Sequence, residues 1–327
     1  MKCLLTGATG FLGANIVFEL VRAGHTVRAF GLPGSETRYI RDHCEEIFFG
    51  DVTSWEDVDV AVSGVDAVIH AAGDTSFWKR NFARQRAVNA DGPVIVAEAC
   101  LRHGVKRLIH TSTVDALGYN PGGLADETWS TYNYAGLGYN YGDTKREGER
   151  RVRSYASRGL EVVVIYPGSM LGPYDFTMQF GRLFFDLRDG KVPALPCGGI
   201  GFGHVTEVAK AHVSALTRGK PGEGYICAGV NATYRELCEL IASKFGGKAP
   251  GWDMPGWMLV AYGAFLELAS GFTGRAPDMN PGQARFMSMR AYYDSSKAVS
   301  ELGYRIRSLK EMVDDAFAWY TEQGYLR

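Results

Sequence analysis

The chain lacks the residue patterns that would tie it to a metal, an oxidising compartment or a polyanion. Its six cysteines, Cys3, Cys44, Cys100, Cys197, Cys227 and Cys238, form no C-x-x-C pair. That usage fits thiols kept reduced as small apolar side chains, so a cytoplasmic setting is expected. There is no H-E-x-x-H segment and no Cys/His cluster, and no metal is expected. Neither sign of charge dominates: 35 Lys and Arg stand against 36 Asp and Glu, and the basic residues are scattered. This argues against a nucleic-acid partner. No apolar run is long enough to span a bilayer. The most apolar stretch, 257–266, ends at Glu267 and is expected to serve core or dimer packing, with membrane-surface contact the lesser alternative. Neither an internal repeat nor a low-complexity tract is present. The first strand is read from residue 2, so no signal peptide is expected.

What is present begins with Thr6-Gly7-Ala8-Thr9-Gly10-Phe11-Leu12-Gly13, between the apolar run 1–5 and the amphipathic stretch 14–21. This order reads strand, glycine turn, helix. Gly7 permits a sharp turn, Gly10 a close approach of backbone to a pyrophosphate, and Gly13 close helix packing. The helix start offers free N–H groups and positive dipole to phosphates. A dinucleotide site is therefore expected. Farther on, Tyr141-Gly142-Asp143-Thr144-Lys145 places a phenol and an ammonium one helical turn apart. A nearby ammonium is expected to lower the phenol pKa toward working pH, which suits proton exchange with a carbonyl or alcohol oxygen. Tyr and Lys at this spacing also occur in helices with no such role.

The first half alternates apolar runs at 27–30, 46–49, 67–70, 106–110 and 161–166 with helical periods near 11–23, 55–63, 81–103 and 141–158. Such alternation implies a parallel sheet covered by helices on both faces. After Pro167 the pattern is irregular, with helical periods near 206–217, 233–245, 255–270 and 308–323. With 46% hydrophobic residues over 327, a large core is available.

Together with Gly50-Asp51-Val52, His70-Ala71-Ala72-Gly73, Asn89, His110-Thr111-Ser112-Thr113, Tyr166-Pro167-Gly168 and Gly172-Pro173, these motifs resemble the extended short-chain dehydrogenase/reductase family, part of the epimerase/dehydratase superfamily, over nearly the full length. The tail Asp294-Ser295-Ser296-Lys297-Ala298 with Glu301-Leu302-Gly303-Tyr304 looks like its bacterial dihydroflavonol-4-reductase-like branch. The resemblance implies an α/β fold: a Rossmann-type doubly wound parallel sheet with a smaller mixed C-terminal substrate domain. Residues 1–168 are expected to bind NAD(P), with a segment near 204–228 returning to that domain. Residues 169–203 and 229–327 are expected to form mainly the substrate domain.

By the same resemblance the catalytic set is Thr113, Tyr141 and Lys145. Thr113 would hold the substrate oxygen, with Ser112 as competitor, and Lys145 would orient the nicotinamide ribose. Cofactor contacts are expected from Gly7, Thr9, Gly10, Phe11, Leu12, Gly13, Arg38, Asp51, Val52, Ala71, Ala72, Gly73, Tyr141, Lys145, Pro167, Gly168 and Ser169. Asp51 is read either as an acceptor for the adenine amino group or as a cap of the next helix. Asn89 is read as supporting backbone, and His70 as a satisfied strand-end histidine. Substrate contacts are expected from Phe77, Trp78, Thr113, Tyr141, Met170 and Phe176, although the aromatic run 176–185 also reads as core.

No carboxylate follows the second strand through Phe30-Gly31-Leu32-Pro33-Gly34-Ser35, which weakens NAD. Leu32 stands where the branch often has arginine, which weakens NADP. With Arg38 or Arg28 as the 2′-phosphate partner, NADP is favoured over NAD. The expected activity is hydride transfer between nicotinamide and a fairly apolar ketone, aldehyde or secondary alcohol. Partners are expected to be limited to a small-molecule substrate, and a homodimer is compatible. The alternative is a nucleotide-sugar epimerase or dehydratase with tightly bound NAD. Such relatives tend to carry Asn where Ser169 stands and Arg just before His204-Val205-Thr206-Glu207-Val208-Ala209, where this chain has Ile200-Gly201-Phe202-Gly203. A non-catalytic cofactor-binding sensor is the remaining class.

Overall fold

The structure, a computed structural model, describes residues 1–326. Its frame is a seven-stranded sheet in the order Gly224–Cys227, Glu161–Pro167, Arg107–Thr111, Ala67–His70, Lys2–Thr6, Thr26–Gly31, Glu46–Phe49. Every neighbouring pair is parallel. Alternation along these strands divides the core. Cys3, Leu5, Ile69, Ile109 and Val163 pack under helices Phe11–Arg22 and Val205–Arg218. Leu4, Val68, Leu108 and Val162 pack on the other face, with the cluster that holds Val58, Val96 and Val152. A sheet buried on both faces explains why its strands read as continuous apolar runs. The fold is the Rossmann-type doubly wound α/β arrangement.

The chain leaves Lys2–Thr6 toward one edge of the sheet and returns at Ala67–His70 to build the other. These two strands are adjacent, and the crevice outside their carboxyl ends is where open α/β sheets hold ligands.

The expected helix over 81–103 is broken. A short helix at Phe82–Arg86 passes into a π-turn at Ala87–Asp91 before the helix Gly92–Arg102. Pro93 is the cause: it lacks the N–H that would bond to the Asn89 carbonyl and crowds that position. The freed carbonyl packs against helix Asn140–Arg153, where a Cβ on Gly148 would lie only 2.0 Å from Asn89 O.

Beyond Pro167, Gly199–His204 pairs with Val230–Thr233, Arg290–Tyr293 and Ser169–Leu171. Over this small sheet pack helices Gly181–Arg188, Tyr234–Ser243 and Leu309–Glu322. Two of these helices start at capping boxes, Thr233 with Glu236 and Ser308 with Glu311.

Of the two roles expected for the stretch 257–266, core or dimer packing, the core role is not met within the chain: helix Gly256–Thr273 buries only Leu259, Gly263 and Ser270. Where the helix passes Asn280 only glycine fits: a Cβ on Gly263 would sit 2.9 Å from Asn280 O. Leu259, Val260 and Leu266 pack inward, while Trp257, Phe265, Leu268 and Phe272 point outward.

Candidate active site

At the carboxyl ends of Lys2–Thr6 and Ala67–His70, Gly7 turns with φ +71°, and a Cβ there would lie 2.7 Å from Ala72 N. Helix Phe11–Arg22 follows, with no side chain capping its start and no acid in its first turn. Its N–H groups and dipole are thus free for an anion. A cleft of about 370 Å³ opens here. Gly7, Thr9, Gly10, Asp51, Val52, Ala71, Ala72 and Gly73 line it. Glycine turn, bare helix start and flanking acid together fit a dinucleotide.

Phe11 and Leu12 open this helix, with their side chains buried in the core. Gly13 touches the turn itself, since a Cβ would lie 2.0 Å from Gly7 O. Arg38, expected at a 2′-phosphate, is not among the cleft residues; it stacks on Tyr39 at 4.6 Å and donates to the hydroxyls of Tyr39 and Tyr325. Arg28 is also withdrawn: it bonds Glu46 and the carbonyls of Ala61 and Ser63. The arginine that does line the cleft is Arg84, 3.9 Å from Asp51 and 3.8 Å from Asp74. It lies outside every motif, and no residue pattern marked it. Asp51 does not cap the next helix. That cap is Ser54, while Asp51 Oδ1 accepts from the N–H and hydroxyl of Thr53.

Lys145 joins this cleft to the phenol. Its ammonium donates to Thr111 O at 2.6 Å, and a Cβ on Gly73 would sit 3.9 Å from it. Asn89 holds the strand end beneath. It accepts from Asp74 N and donates to Asp74 O and to the Thr144 hydroxyl, just before Lys145. Ser112 turns away and donates to Glu149. Thr113 faces Tyr141 and accepts from Asp115 N. His70 bonds the Thr6 hydroxyl at 2.7 Å, and burial lowers its pKa to about 3. It stays neutral and structural.

The electrostatics differ from the expectation in one respect. The Tyr141 phenol is pushed above its ordinary value, first by burial and then by the Asp115 carboxylate, with the Thr113 hydroxyl opposing. Lys145 does not offset this, because its ammonium is directed at Thr111. Burial lowers Lys145 itself to about 8, with Glu149 opposing. Without ligand, Tyr141 is a neutral phenol at pH 7.

Asp115 and Tyr139 are site residues that sequence reasoning missed. The Tyr139 hydroxyl donates to Asp115 Oδ2 at 2.9 Å, and the Tyr139 ring lies 6.3 Å from that of Tyr141. Asp115 Oδ1 is buried without a partner. Two residues past Thr113 in a short 3₁₀ turn, Asp115 belongs to no motif. Burial raises its pKa to about 6, against hydrogen bonds from Tyr139 and Thr113. A pKa raised on folding gives stability that is complete below the unfolded value, near 4, and is lost as pH rises through about 6. Asp115→Asn is therefore expected to gain on the order of 2–3 kcal/mol over wild type between pH 4 and pH 7. Urea unfolding at several pH values checks this; a constant difference across the window sinks it.

Of the expected substrate contacts, Phe77 stacks on Tyr139 at 6.2 Å. Trp78 lies beneath Arg80 at 5.1 Å. Met170 packs against the sheet core, and Phe176 stacks on Tyr39 at 5.0 Å. Phe184 is fully buried against Tyr320 and is core. The loop before it is fixed by Asp175, which accepts from Gln179 N, Phe180 N, Gly181 N and the Tyr320 hydroxyl. Among the described residues no helix is long and apolar enough to cross a membrane, and no group of three or more His, Cys, Asp or Glu is placed to hold a metal.

Comparison with known proteins adds to this geometry. The model of the NAD dependent epimerase/dehydratase family matches residues 3–228. The chain is 30% identical to the sterol demethylase protein B of Methylococcus capsulatus, with all of both chains covered. It is 27% identical to a putative dihydroflavonol 4-reductase of Synechocystis sp., covering 99% of this chain and 95% of that one. The crystal structure of gox2253 superposes with a TM-score of 0.86 at 29% identity, covering 100% of this chain and 99% of that one.

Proposed function

Because this chain belongs to the NAD dependent epimerase/dehydratase family, we propose that it is an NAD(P)-dependent carbonyl reductase or alcohol dehydrogenase acting on a fairly apolar ketone, aldehyde or secondary alcohol. The nicotinamide dinucleotide, when bound, supplies hydride transfer. This chain's residues do the rest. Gly7 to Gly10 and the start of helix Phe11–Arg22 seat the pyrophosphate. Lys145, beside Gly73, reaches the ribose that follows. Tyr141 gives a proton to the substrate oxygen or takes one from it. Thr113 holds that oxygen and stabilises charge developing on it.

One observation carries the choice of reductase. The surroundings of Tyr141 are aromatic: Tyr139 beside it, with Phe286 stacked on Tyr139 at 4.7 Å and Phe77 on its other side. The strand where epimerase relatives tend to carry arginine is closed to any side chain at its glycines. A Cβ on Gly201 would meet Ala228 at 2.8 Å, and one on Gly199 would meet Ala232 O at 2.6 Å. A buried diphosphate needs arginine or equivalent donors. NADP remains the favoured form, since no carboxylate in Phe30–Ser35 would repel a 2′-phosphate, and Ser35 lines the cleft.

The test is direct. Apolar ketones should oxidise exogenous NADPH stoichiometrically and compete with one another, while UDP- and dTDP-sugars should give no thermal stabilisation. Protein that retains NAD and inverts a sugar-nucleotide stereocentre without net oxidation would replace this reading with the epimerase one.

A further inference from the structure

Helix Gly256–Thr273 reverses the usual pattern of a surface helix. Trp257, Ala261, Ala264, Phe265, Leu268 and Phe272 recur at the i, i+4, i+7, i+8, i+11, i+15 spacing of one helical face, and all six are exposed. Trp257 is 73% exposed, Phe265 63%, Leu268 65% and Phe272 86%. Isolated exposed apolar residues are ordinary, but a continuous stripe on one helix marks a contact surface.

Charge points to what covers it. Cations stand beside the stripe: Lys79, paired with Glu267 at 2.7 Å and followed in the chain by the exposed Arg80, and Arg275, exposed just past the helix end. Glu267 is the only acid in the helix. Tryptophan, phenylalanine and leucine on one face with lysine and arginine at its margins match the headgroup–acyl boundary of an anionic bilayer.

We propose that helix Gly256–Thr273 is a docking element that lies in the surface of a membrane carrying anionic lipid, with its Trp257–Phe272 face immersed. The claim does not depend on the reaction class. The helix also adjoins the site. Lys79 pairs with Glu267, Asn280 Nδ2 donates to Phe77 O at 2.7 Å, and Phe77 stacks on Tyr139. Docking would hold the segment 77–80 against the lipid.

Co-sedimentation of the full chain with vesicles of phosphatidylcholine, with and without phosphatidylglycerol, tests this. The wild type should partition onto the phosphatidylglycerol vesicles, less so as salt rises. Phe265→Ser/Leu268→Ser/Phe272→Ser should lose at least about tenfold in partitioning, because immersed apolar area sets the affinity. Its unfolding midpoint should match wild type, since the changed side chains are exposed. Arg80→Glu/Arg275→Glu should remove the preference for phosphatidylglycerol. Failure of the wild type to bind either vesicle, or equal binding by the triple serine variant, would overturn the proposal. So would a concentration-dependent dimer that the triple variant disperses, since the occupant would then be a second copy.

Discussion

Tyr141→Phe is expected to reduce turnover by about 10²–10⁴-fold, the range for loss of a general acid. Cofactor affinity should stay within about twofold, because the phenylalanine ring keeps the packing against Tyr139 and only the hydroxyl is lost. The pH dependence has a defined sign. Burial and Asp115 hold the phenol protonated at neutral pH, which is the form that donates. Carbonyl reduction should therefore be favoured at and below neutrality and decline as pH rises toward the phenol's ionisation. Alcohol oxidation, which needs the phenolate, should rise over the same range. Asp115→Asn removes a carboxylate that raises the phenol and should move both limbs toward lower pH. Steady-state rates of wild type and both variants across the pH range provide the check. Near-normal turnover in the phenylalanine variant would remove Tyr141 from the chemistry.

The fold was legible because a parallel sheet buried on both faces writes itself as apolar runs between helical periods. The runs at 67–70 and 161–166 coincide with the strands Ala67–His70 and Glu161–Pro167. What was not legible has local causes. The π-turn at Ala87–Asp91 follows from one proline inside an otherwise helical pattern. The helix Pro281–Met287 is short and starts at Asn280, a cap easily read as loop. The glycine turn could be read because turn geometry, phosphate approach and packing each demand glycine at a stated offset. Arg84 could not, because an arginine in a broken helix announces nothing until the fold brings it beside Asp51 and Asp74. Asp115 escaped for the same reason: its raised pKa is a property of the aromatic wall that Tyr139 and Tyr141 build around it. Whether the stretch 257–266 faces inward or outward was not legible, because an apolar stretch does not say which way it points.

Gly13→Ala and Gly10→Ala should separate two uses of glycine within one turn. A Cβ on Gly13 would lie 2.0 Å from Gly7 O and 2.8 Å from Ala8 Cα, both backbone atoms that cannot swing aside. The helix must then move off the turn, and overpacking of this kind costs about 1–3 kcal/mol or more. A Cβ on Gly10 meets only Gly7 O, at 3.3 Å, so the protein without cofactor should melt close to wild type. Its penalty should fall on the ligand, because the added methyl occupies the space through which the backbone approaches the pyrophosphate. Gly13→Ala is thus expected to lower the unfolding midpoint of the free protein and to abolish the stabilisation that NADPH gives. Gly10→Ala should leave the free midpoint nearly unchanged and weaken NADPH binding by about tenfold or more, since the N–H groups at the helix start lose contact with the phosphates. Thermal unfolding with and without NADPH, together with fluorescence titration, reads both effects. If Gly10→Ala binds NADPH as wild type does, the pyrophosphate does not lie over Gly10, and the cleft between Gly7 and Asp51 has been assigned the wrong end of the ligand.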